Sequence, residues 1–162
     1  MATVIVNVAL TAKGSSISNG VNFAFAPGPG MPVGVVSADG KIDLSKDFPS
    51  GTPVTLVFTM TTSSVRFPSG PSVPVSFYGQ AGASNAIWFG ASGQKPTGPN
   101  GGSEFVFATN AMGPNNGTIS VTDNNDDGKA WAYALFAWAT TGPNLGQKFE
   151  DDPRIINHPA NK

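Results

Sequence analysis

The chain has 162 residues, of which 40% are hydrophobic and 12% are charged, and its formal net charge is −1. This length suits one domain with a real core, and the hydrophobic content excludes a disordered polymer. The chain contains no cysteine, which excludes disulfides, thiol catalysis and cysteine-ligated metal centres. The nine Lys and Arg residues are scattered along the sequence, so we expect no binding to nucleic acid or to an anionic membrane surface.

The N-terminal segment alternates, with Val4, Val6, Val8 and Leu10 on one face, which is typical of a strand. It lacks the basic region and the long apolar run of a signal peptide. No part of the sequence is long and apolar enough to span a bilayer. We therefore expect a cytoplasmic protein with no membrane partner.

Further alternating runs follow along the chain, and each predicts a strand with one buried face and one wetted face. They are centred on Phe23 and Phe25; Leu56 and Phe58; Val73, Val75 and Phe77; Phe105 and Phe107; and Ile119 and Val121. The clearest run carries Leu56 and Phe58 on its apolar face and Thr59 on the other. Leu56 and Phe58 are therefore predicted to be almost fully buried.

Dense turns that contain Gly and Pro separate these runs, as at 27–30, 49–51 and 69–71. Twenty glycines and fourteen prolines leave little room for helices, and about eight or nine short strands remain. Segment 92–102 has no large apolar side chain and is predicted to be a mobile surface loop. We predict an all-β, immunoglobulin-like sandwich of about eight strands in two sheets, formed by a single domain over residues 1–162.

Segment 130–139, Ala-Trp-Ala-Tyr-Ala-Leu-Phe-Ala-Trp-Ala, is ambiguous because alanine favours helices. Trp131, Leu135 and Trp138 fit helical spacing. In a strand, the large side chains change face after Leu135, which would need a bulge there. We favour the strand, because residues 118–122 alternate cleanly and the polar residues between the two segments make a good hairpin connection.

The sharpest motif is segment 123–128, Asp-Asn-Asn-Asp-Asp-Gly, in which oxygen-bearing side chains at alternate positions precede a glycine. It matches the first half of an EF-hand calcium loop, but Ala134 holds the position of the bidentate glutamate. The candidate ligands, if calcium binds, are Asp123, Asn125 and Asp127, helped by the acidic residues 150–152. We favour the alternative, a polar hairpin turn whose side chains bond their own backbone, and expect no physiologically meaningful metal site.

Nothing in the sequence forms a catalytic constellation. The single histidine, His158, lies near the C-terminus, where a triad histidine would not be held rigidly. Carboxylate-pair catalysis needs two acids around a substrate, and Asp39, Asp43, Asp47 and Glu104 show no such arrangement. We therefore expect no catalytic residue, no cofactor and no enzyme activity.

The tryptophans are candidates for ligand stacking, because carbohydrate-binding sandwiches hold sugar rings against exposed aromatic side chains. The candidates are Trp88, Trp131 and Trp138, although burial in the core is the favoured explanation for any one of them. Trp88 and Phe89 are adjacent, so a strand there would point one ring each way. At least one of these two rings is then expected at the surface or at an interface.

The C-terminal third combines a terminal hairpin at 118–139, which has an Asp/Asn-rich turn, with the ending Asp-Asp-Pro-Arg-Ile-Ile-Asn-His-Pro at 151–159. In these features the chain resembles the DP-EP family, which groups small bacterial β-sandwich proteins with an Asp-Pro-containing tail. The resemblance implies an immunoglobulin-like sandwich without an established activity, and it transfers no catalytic residue. We also expect an extended C-terminal tail at about 149–162.

The expected function is a non-enzymatic binding or structural module of a bacterial cytoplasm, with two alternatives open. One is a self-associating protein, because few charges guard an exposed strand edge, and a homo-oligomer is then expected. The other is a sandwich whose loop end binds a small carbohydrate or binds a ligand in a calcium-dependent way.

Overall fold

The alternating runs of the sequence become two β-sheets in a computed structural model of the chain. The structure describes residues 1–79, 82–98, 103–108, 111–151 and 153–156. Within these residues, helix is limited to three single turns of 3-10 type, and no helix is long and apolar enough to cross a membrane. The predicted all-β sandwich is confirmed.

The described residues form twelve strands, which is more than the eight predicted. Four of the strands have only two or three residues and are too short to show an alternating pattern. In chain order the strands are β1 (Ala2–Ala12), β2 (Val21–Pro27), β3 (Ile42–Asp43), β4 (Val54–Met60), β5 (Ser64–Arg66), β6 (Ser72–Phe77), β7 (Ile87–Ala91), β8 (Phe105–Val106), β9 (Thr118–Asp123), β10 (Ala130–Ala139), β11 (Lys148–Asp151) and β12 (Arg154–Ile156).

The first sheet has the strand order β2-β1-β4-β9-β8. β1 pairs antiparallel with β2 and parallel with β4, so that Val4 lies opposite Leu56 and Val6 lies opposite Phe58. β9 runs antiparallel to β4 and places Ile119 opposite Phe58. One face of these strands is turned to the core, and Leu56 and Phe58 are fully buried there, as predicted.

The second sheet is built around β10. β7 and β6 pair one after the other with one edge of β10, and β12 and β11 pair with its other edge. β3 pairs with β12, and β5 pairs with β6. Tyr133, Leu135 and Ala137 are fully buried on the core side of β10. There the ring centroids of Tyr133 and Phe58 are 5.6 Å apart, which places the core between the two sheets.

Residues 130–139 form a continuous strand, as favoured, and the helical alternative is wrong. The expected bulge near Leu135 is also wrong, because the pairing with β11 and β12 keeps one register along β10. Phe136 and Trp138 lie on the face opposite to Tyr133. Both faces of this strand carry large side chains, and a strand that is covered on both faces loses the alternation of apolar and polar residues.

Residues 148–151 and 154–156 form strands of the second sheet, which corrects the expectation of an extended tail from about 149. β11 and β12 pair with β10, and Phe149, Pro153 and Ile155 are buried. Pro153 packs against Gly40, where an added Cβ would lie 2.7 Å from Pro153 Cβ. Burial of these apolar side chains is what holds the segment against the sandwich.

Two regions singled out by sequence extend beyond the described residues. Residues 92–98 of the predicted loop have no regular secondary structure, and residues 99–102 lie outside the described part of the chain. Residues 157–162, with His158 among them, also lie outside it. The mobility of the loop stays a prediction.

Candidate functional site

Asp123 is a carboxylate that the strand alternation carries into the interior. In β9 the side chains of Ile119 and Val121 face the core, and Asp123 is the next residue on that face. It lies opposite Val54 of β4 and Phe105 of β8, and it is completely buried. A buried carboxylate is unfavourable unless hydrogen bonds or charges compensate it, which singles out the end of β9 as a candidate site.

The turn after β9 is held by bonds between side chains and backbone. Asp123 Oδ1 accepts the Asn125 N–H at 2.8 Å, and Asn125 has a φ of +52°. Asn125 is fully buried, and its Nδ2 donates to the Pro49 carbonyl at 3.2 Å. Its own carbonyl accepts the Gly51 N–H at 2.8 Å. The turn is therefore anchored to the 49–51 loop, as expected of a polar turn whose side chains bond the backbone.

Asp127, the third candidate ligand, accepts hydrogen bonds within the hairpin on both carboxylate oxygens. Its Oδ1 accepts the Lys129 N–H at 2.9 Å, and its Oδ2 accepts the Trp131 Nε1–H at 3.0 Å. Lys129 Nζ lies 3.9 Å from the same Oδ2. The carboxylate thereby fixes both the backbone that enters β10 and the indole of Trp131.

Glu104 is a member of this site that sequence analysis did not assign to it. β8 begins opposite Asp123, and the Asn124 N–H donates to the Glu104 carbonyl at 2.9 Å, which brings Glu104 beside the turn. Glu104 is only 6% exposed, and its carboxyl group hydrogen-bonds with Asp123 and Asp126. The sequence signal was the position of Asp123 on the core face of β9, because a buried carboxylate needs hydrogen-bond donors or a compensating charge nearby, and a protonated carboxyl group is one such donor.

The acidic cluster is defined as Glu104, Asp123, Asp126 and Asp127, and the pKa of its Glu104 carboxyl is raised. Burial raises the pKa of the Glu104 carboxyl to about 8. The hydrogen bond and charge of Asp123, the hydrogen bond with Asp126 and the charge of Asp127 act in the same direction. Two carboxyl groups share a hydrogen bond only when one is protonated. At neutral pH, Glu104 therefore keeps its proton and donates it to a neighbouring carboxylate.

The acidic cluster does not have the arrangement of a metal centre. Among the described residues, no three Asp, Glu or His side chains are placed so that they could hold a metal ion. Glu150, which sequence analysis offered as a distal ligand, instead forms an ion pair with Lys95 at 2.7 Å. Asp152 lies outside the described residues. The weakness of calcium binding stays a prediction, and the raised pKa of Glu104 indicates that a proton held by this residue reduces the negative charge of the cluster.

The three candidate tryptophans occupy separate positions on the second sheet. Trp131 packs on the core side, edge-on to Phe105, with ring centroids 5.4 Å apart. Trp88 and Trp138 lie on the outer face, on different strands. Phe89 is buried in the core, so the adjacent pair points one ring each way, as predicted. The three tryptophans therefore do not form one shared platform on which a sugar ring could stack, and each has its own local environment.

Trp138 lines an open cleft of about 550 Å³, the Trp138 cleft, between the end of β4 and the end of β10. Every described residue in its lining is uncharged. Its polar groups include the hydroxyls and amides of Thr62, Ser63, Ser76, Asn115, Asn116 and Thr140. The cleft thus combines one indole with several neutral hydrogen-bonding groups.

The walls of the Trp138 cleft are fixed by contacts of their own. Trp138 Nε1 donates to Ser76 Oγ at 3.2 Å, and the Tyr78 ring meets the indole edge-on with centroids 4.9 Å apart. Asn115 and Asn116 both have a φ of +53°, a left-handed conformation that is uncommon for residues other than glycine. The cleft is therefore formed before any ligand enters.

A second open region adjoins Trp131 and Lys95. One cleft there, of about 410 Å³, contains Phe89, Trp131 and Lys95, and another, of about 560 Å³, contains Lys95, Lys41 and Asp39. Charges of both signs line this region, in contrast to the Trp138 cleft.

No protein-family model matches the chain, and no curated protein matches it in sequence. The resemblance to the DP-EP family stays a prediction from the residues of the C-terminal third.

Proposed function

We propose that the protein is a non-enzymatic binding module that holds a small neutral saccharide in the Trp138 cleft. One observation carries the proposal: an indole ring shares this cleft with hydroxyl and amide groups, and no described residue in the lining is charged. A saccharide presents apolar C–H faces and many hydroxyl groups. An aromatic surface and neutral donors and acceptors are the groups that recognise such a ligand.

The fixed walls of the cleft support binding, because a pre-formed site loses less conformational entropy when a ligand enters. The Trp138 indole is oriented by Ser76 and Tyr78, so stacking would not require it to reorganise. Asn115 and Asn116 store backbone strain, and residues in left-handed conformations cluster at ligand-binding sites.

The position of the acidic residues favours binding without chemistry. A general acid or a nucleophile must come within hydrogen-bond distance of its substrate. Glu104 and Asp123 are buried, and neither lines the clefts around Trp138 or Lys95. Neither carboxyl group therefore lines the clefts in which a ligand is proposed to bind.

We expect calorimetric titration with a panel of neutral mono- and disaccharides to find a ligand that binds saturably. Trp138→Leu should weaken this binding at least about tenfold, which corresponds to about 1.4 kcal/mol of lost stacking. Asn115→Gly removes one amide and relieves the left-handed strain. It should weaken binding about three- to tenfold while leaving the melting temperature unchanged or raised.

Thr97→Ala, in the cleft beside Trp131 and Lys95, is the matched control and should leave saccharide affinity unchanged. Calorimetry is preferred to fluorescence because Trp138→Leu also removes a fluorophore. The proposal would be contradicted if no saccharide of the panel bound saturably. It would also be contradicted if Thr97→Ala lowered saccharide affinity as much as Asn115→Gly does.

A second candidate function, self-association, is favoured by the outer face of the first sheet. The outward residues of β1, β4 and β9 include no charged side chain. They are Thr3, Ile5, Asn7, Ala9, Thr11, Thr55, Val57, Thr59, Thr118, Ser120 and Thr122. Charges on sheet surfaces and edges oppose association between copies, and this face has none of that protection.

We expect light scattering to report a mass that rises towards that of a dimer over a hundredfold increase in concentration. Val57→Lys places a charge at the centre of the outer face and should keep the protein monomeric. Val33→Lys is the matched control, because Val33 is fully exposed outside the sheet. A monomer mass for the wild type over the whole range would end this candidate.

A further inference from the structure

Three aromatic rings surround one ammonium group beside the outer face of the second sheet. Lys148 Nζ lies 4.3 Å from the ring centroid of Tyr78, 4.9 Å from that of Phe136 and 5.8 Å from that of Trp88. Phe136 is buried, and the ring centroids of Trp88 and Phe136 are 4.6 Å apart, whereas Lys148 is exposed. The rings, called here the aromatic cage (Tyr78, Trp88 and Phe136), form fixed walls, and the cation is the movable part.

Strand pairing explains how distant parts of the sequence build this cage. β10 turns Phe136 to the outer face, and β7 places Trp88 on the same face, opposite Ala134. Tyr78 follows directly after β6, which pairs with the same edge of β10. Lys148 arrives from β11 on the other edge. The cage is thus assembled on rigid strands, with its occupant supplied by a neighbouring strand.

The rings themselves account for the position of the cation. Among the described residues, Lys148 forms no ion pair. Glu150, two residues further along the same face, is paired with Lys95 at 2.7 Å. The attraction at this site is therefore that of a cation for the faces of aromatic rings, which is the basis of ammonium recognition in proteins.

A second observation concerns the polar atom of the cage. Trp88 Nε1 is buried and has no hydrogen-bond partner among the described residues. Leaving a buried N–H donor without an acceptor is unfavourable, and such donors are rare. With Lys148 in place this N–H is closed to solvent, so a ligand's oxygen atom can accept from it only where displacement of Lys148 uncovers it.

We propose that the aromatic cage is a binding site for a quaternary ammonium compound that carries an oxygen acceptor, and that Lys148 is its built-in competitor. A primary ammonium is strongly hydrated, whereas a quaternary ammonium offers methyl groups to the rings, so it gives up less solvation on entering the cage. The ligand displaces Lys148, whose flexible stem can turn towards water. This site differs from the Trp138 cleft, and it does not depend on saccharide binding.

The test is a calorimetric titration with choline of the wild type and of Lys148→Ala. Loss of the competitor should tighten choline binding by about two- to thirtyfold, the range that corresponds to one cation–π interaction. Lys129→Ala is the matched control. It removes an exposed lysine of the hairpin turn and should leave choline affinity at the wild-type value.

The neutral isostere 3,3-dimethyl-1-butanol, titrated into Lys148→Ala, separates cation recognition from simple apolar contact. It should bind at least tenfold more weakly than choline. Tyr78→Leu in the Lys148→Ala background removes the closest ring and should weaken choline binding at least fivefold. Choline binding to Lys148→Ala that is no tighter than to the wild type, or equal affinity for choline and the isostere, would overturn the proposal. The comparison of choline with its neutral isostere uses Lys148→Ala alone, so it tests cation recognition even where the Tyr78→Leu variant does not fold.

Discussion

Replacement of Phe58 by alanine is expected to lower the free energy of unfolding by about 3–5 kcal/mol, as measured by chemical denaturation. Phe58 is fully buried in β4, between Val6 and Ile119 on the neighbouring strands. Its ring centroid lies 5.6 Å from that of Tyr133 in the second sheet. The substitution therefore removes a contact that joins the two sheets, and it leaves a cavity in the centre of the core.

Thr59→Ala is the control for this prediction, because Thr59 is the next residue along β4 and is turned to the outer face. It is half-buried, and its substitution is expected to cost less than about 1 kcal/mol. Equal losses from the two substitutions would mean that the register of β4 is wrong.

The strands that were predictable from sequence are those with one buried face and one wetted face. β1, β4 and β9 alternate because only one side of the first sheet meets the core. β10 gave an ambiguous pattern because Tyr133 and Phe136, on opposite faces, are both buried. The segment from 148 to 156 looked like a tail because its two strands are short and are stabilised by pairing with β10, a long-range contact that no local pattern records.

The candidate sites, like the strands, could be predicted only where the contacts are local in the sequence. The turn at 123–128 was visible in the sequence, because its Asp and Asn side chains act locally on their own backbone. Glu104 was not, because it reaches Asp123 only through the pairing of β8, a strand of two residues. The Trp138 cleft draws its lining from segments that are distant in sequence and meet only in the folded protein. Sequence could nominate Trp138 but not its neighbours.

The stability of the protein is expected to fall as the pH rises from about 5 to about 9, because Glu104 must lose its proton. Its pKa is raised from an ordinary value of 4.5 to about 8, by burial and then by Asp123, Asp126 and Asp127. A group with a raised pKa in the folded state contributes stability that is fully present below the unfolded pKa and is lost as the pH passes the folded pKa. At about 1.4 kcal/mol per pKa unit, the loss is at most about 5 kcal/mol. A loss of about half that size would lower the melting temperature by about 5–10 °C.

Glu104→Gln tests the assignment of this pH dependence, because the amide is neutral and has nearly the shape of the protonated acid. The variant should lose most of the pH dependence and should be more stable than the wild type at pH 9. Glu150→Gln is the matched control at an exposed glutamate whose partner is Lys95. It should change stability by less than about 1 kcal/mol and keep the pH dependence. If Glu104→Gln melts with the same pH dependence as the wild type, the proton is not on Glu104.

The same thermal melts, repeated with calcium, test whether a proton or a calcium ion neutralises the acidic cluster. Asp127 already accepts hydrogen bonds on both oxygens, and no described set of three acidic or histidine side chains is arranged around a cation. Calcium usually takes six to eight oxygen ligands, so water would have to fill most of its shell.

Millimolar calcium is expected to leave the melting temperature unchanged at pH 7, because a ligand below its dissociation constant adds almost no stability. A stabilisation of several degrees that disappears in Asp123→Asn with Asp127→Asn would contradict this expectation. It would mean that the cluster exchanges the Glu104 proton for a metal ion.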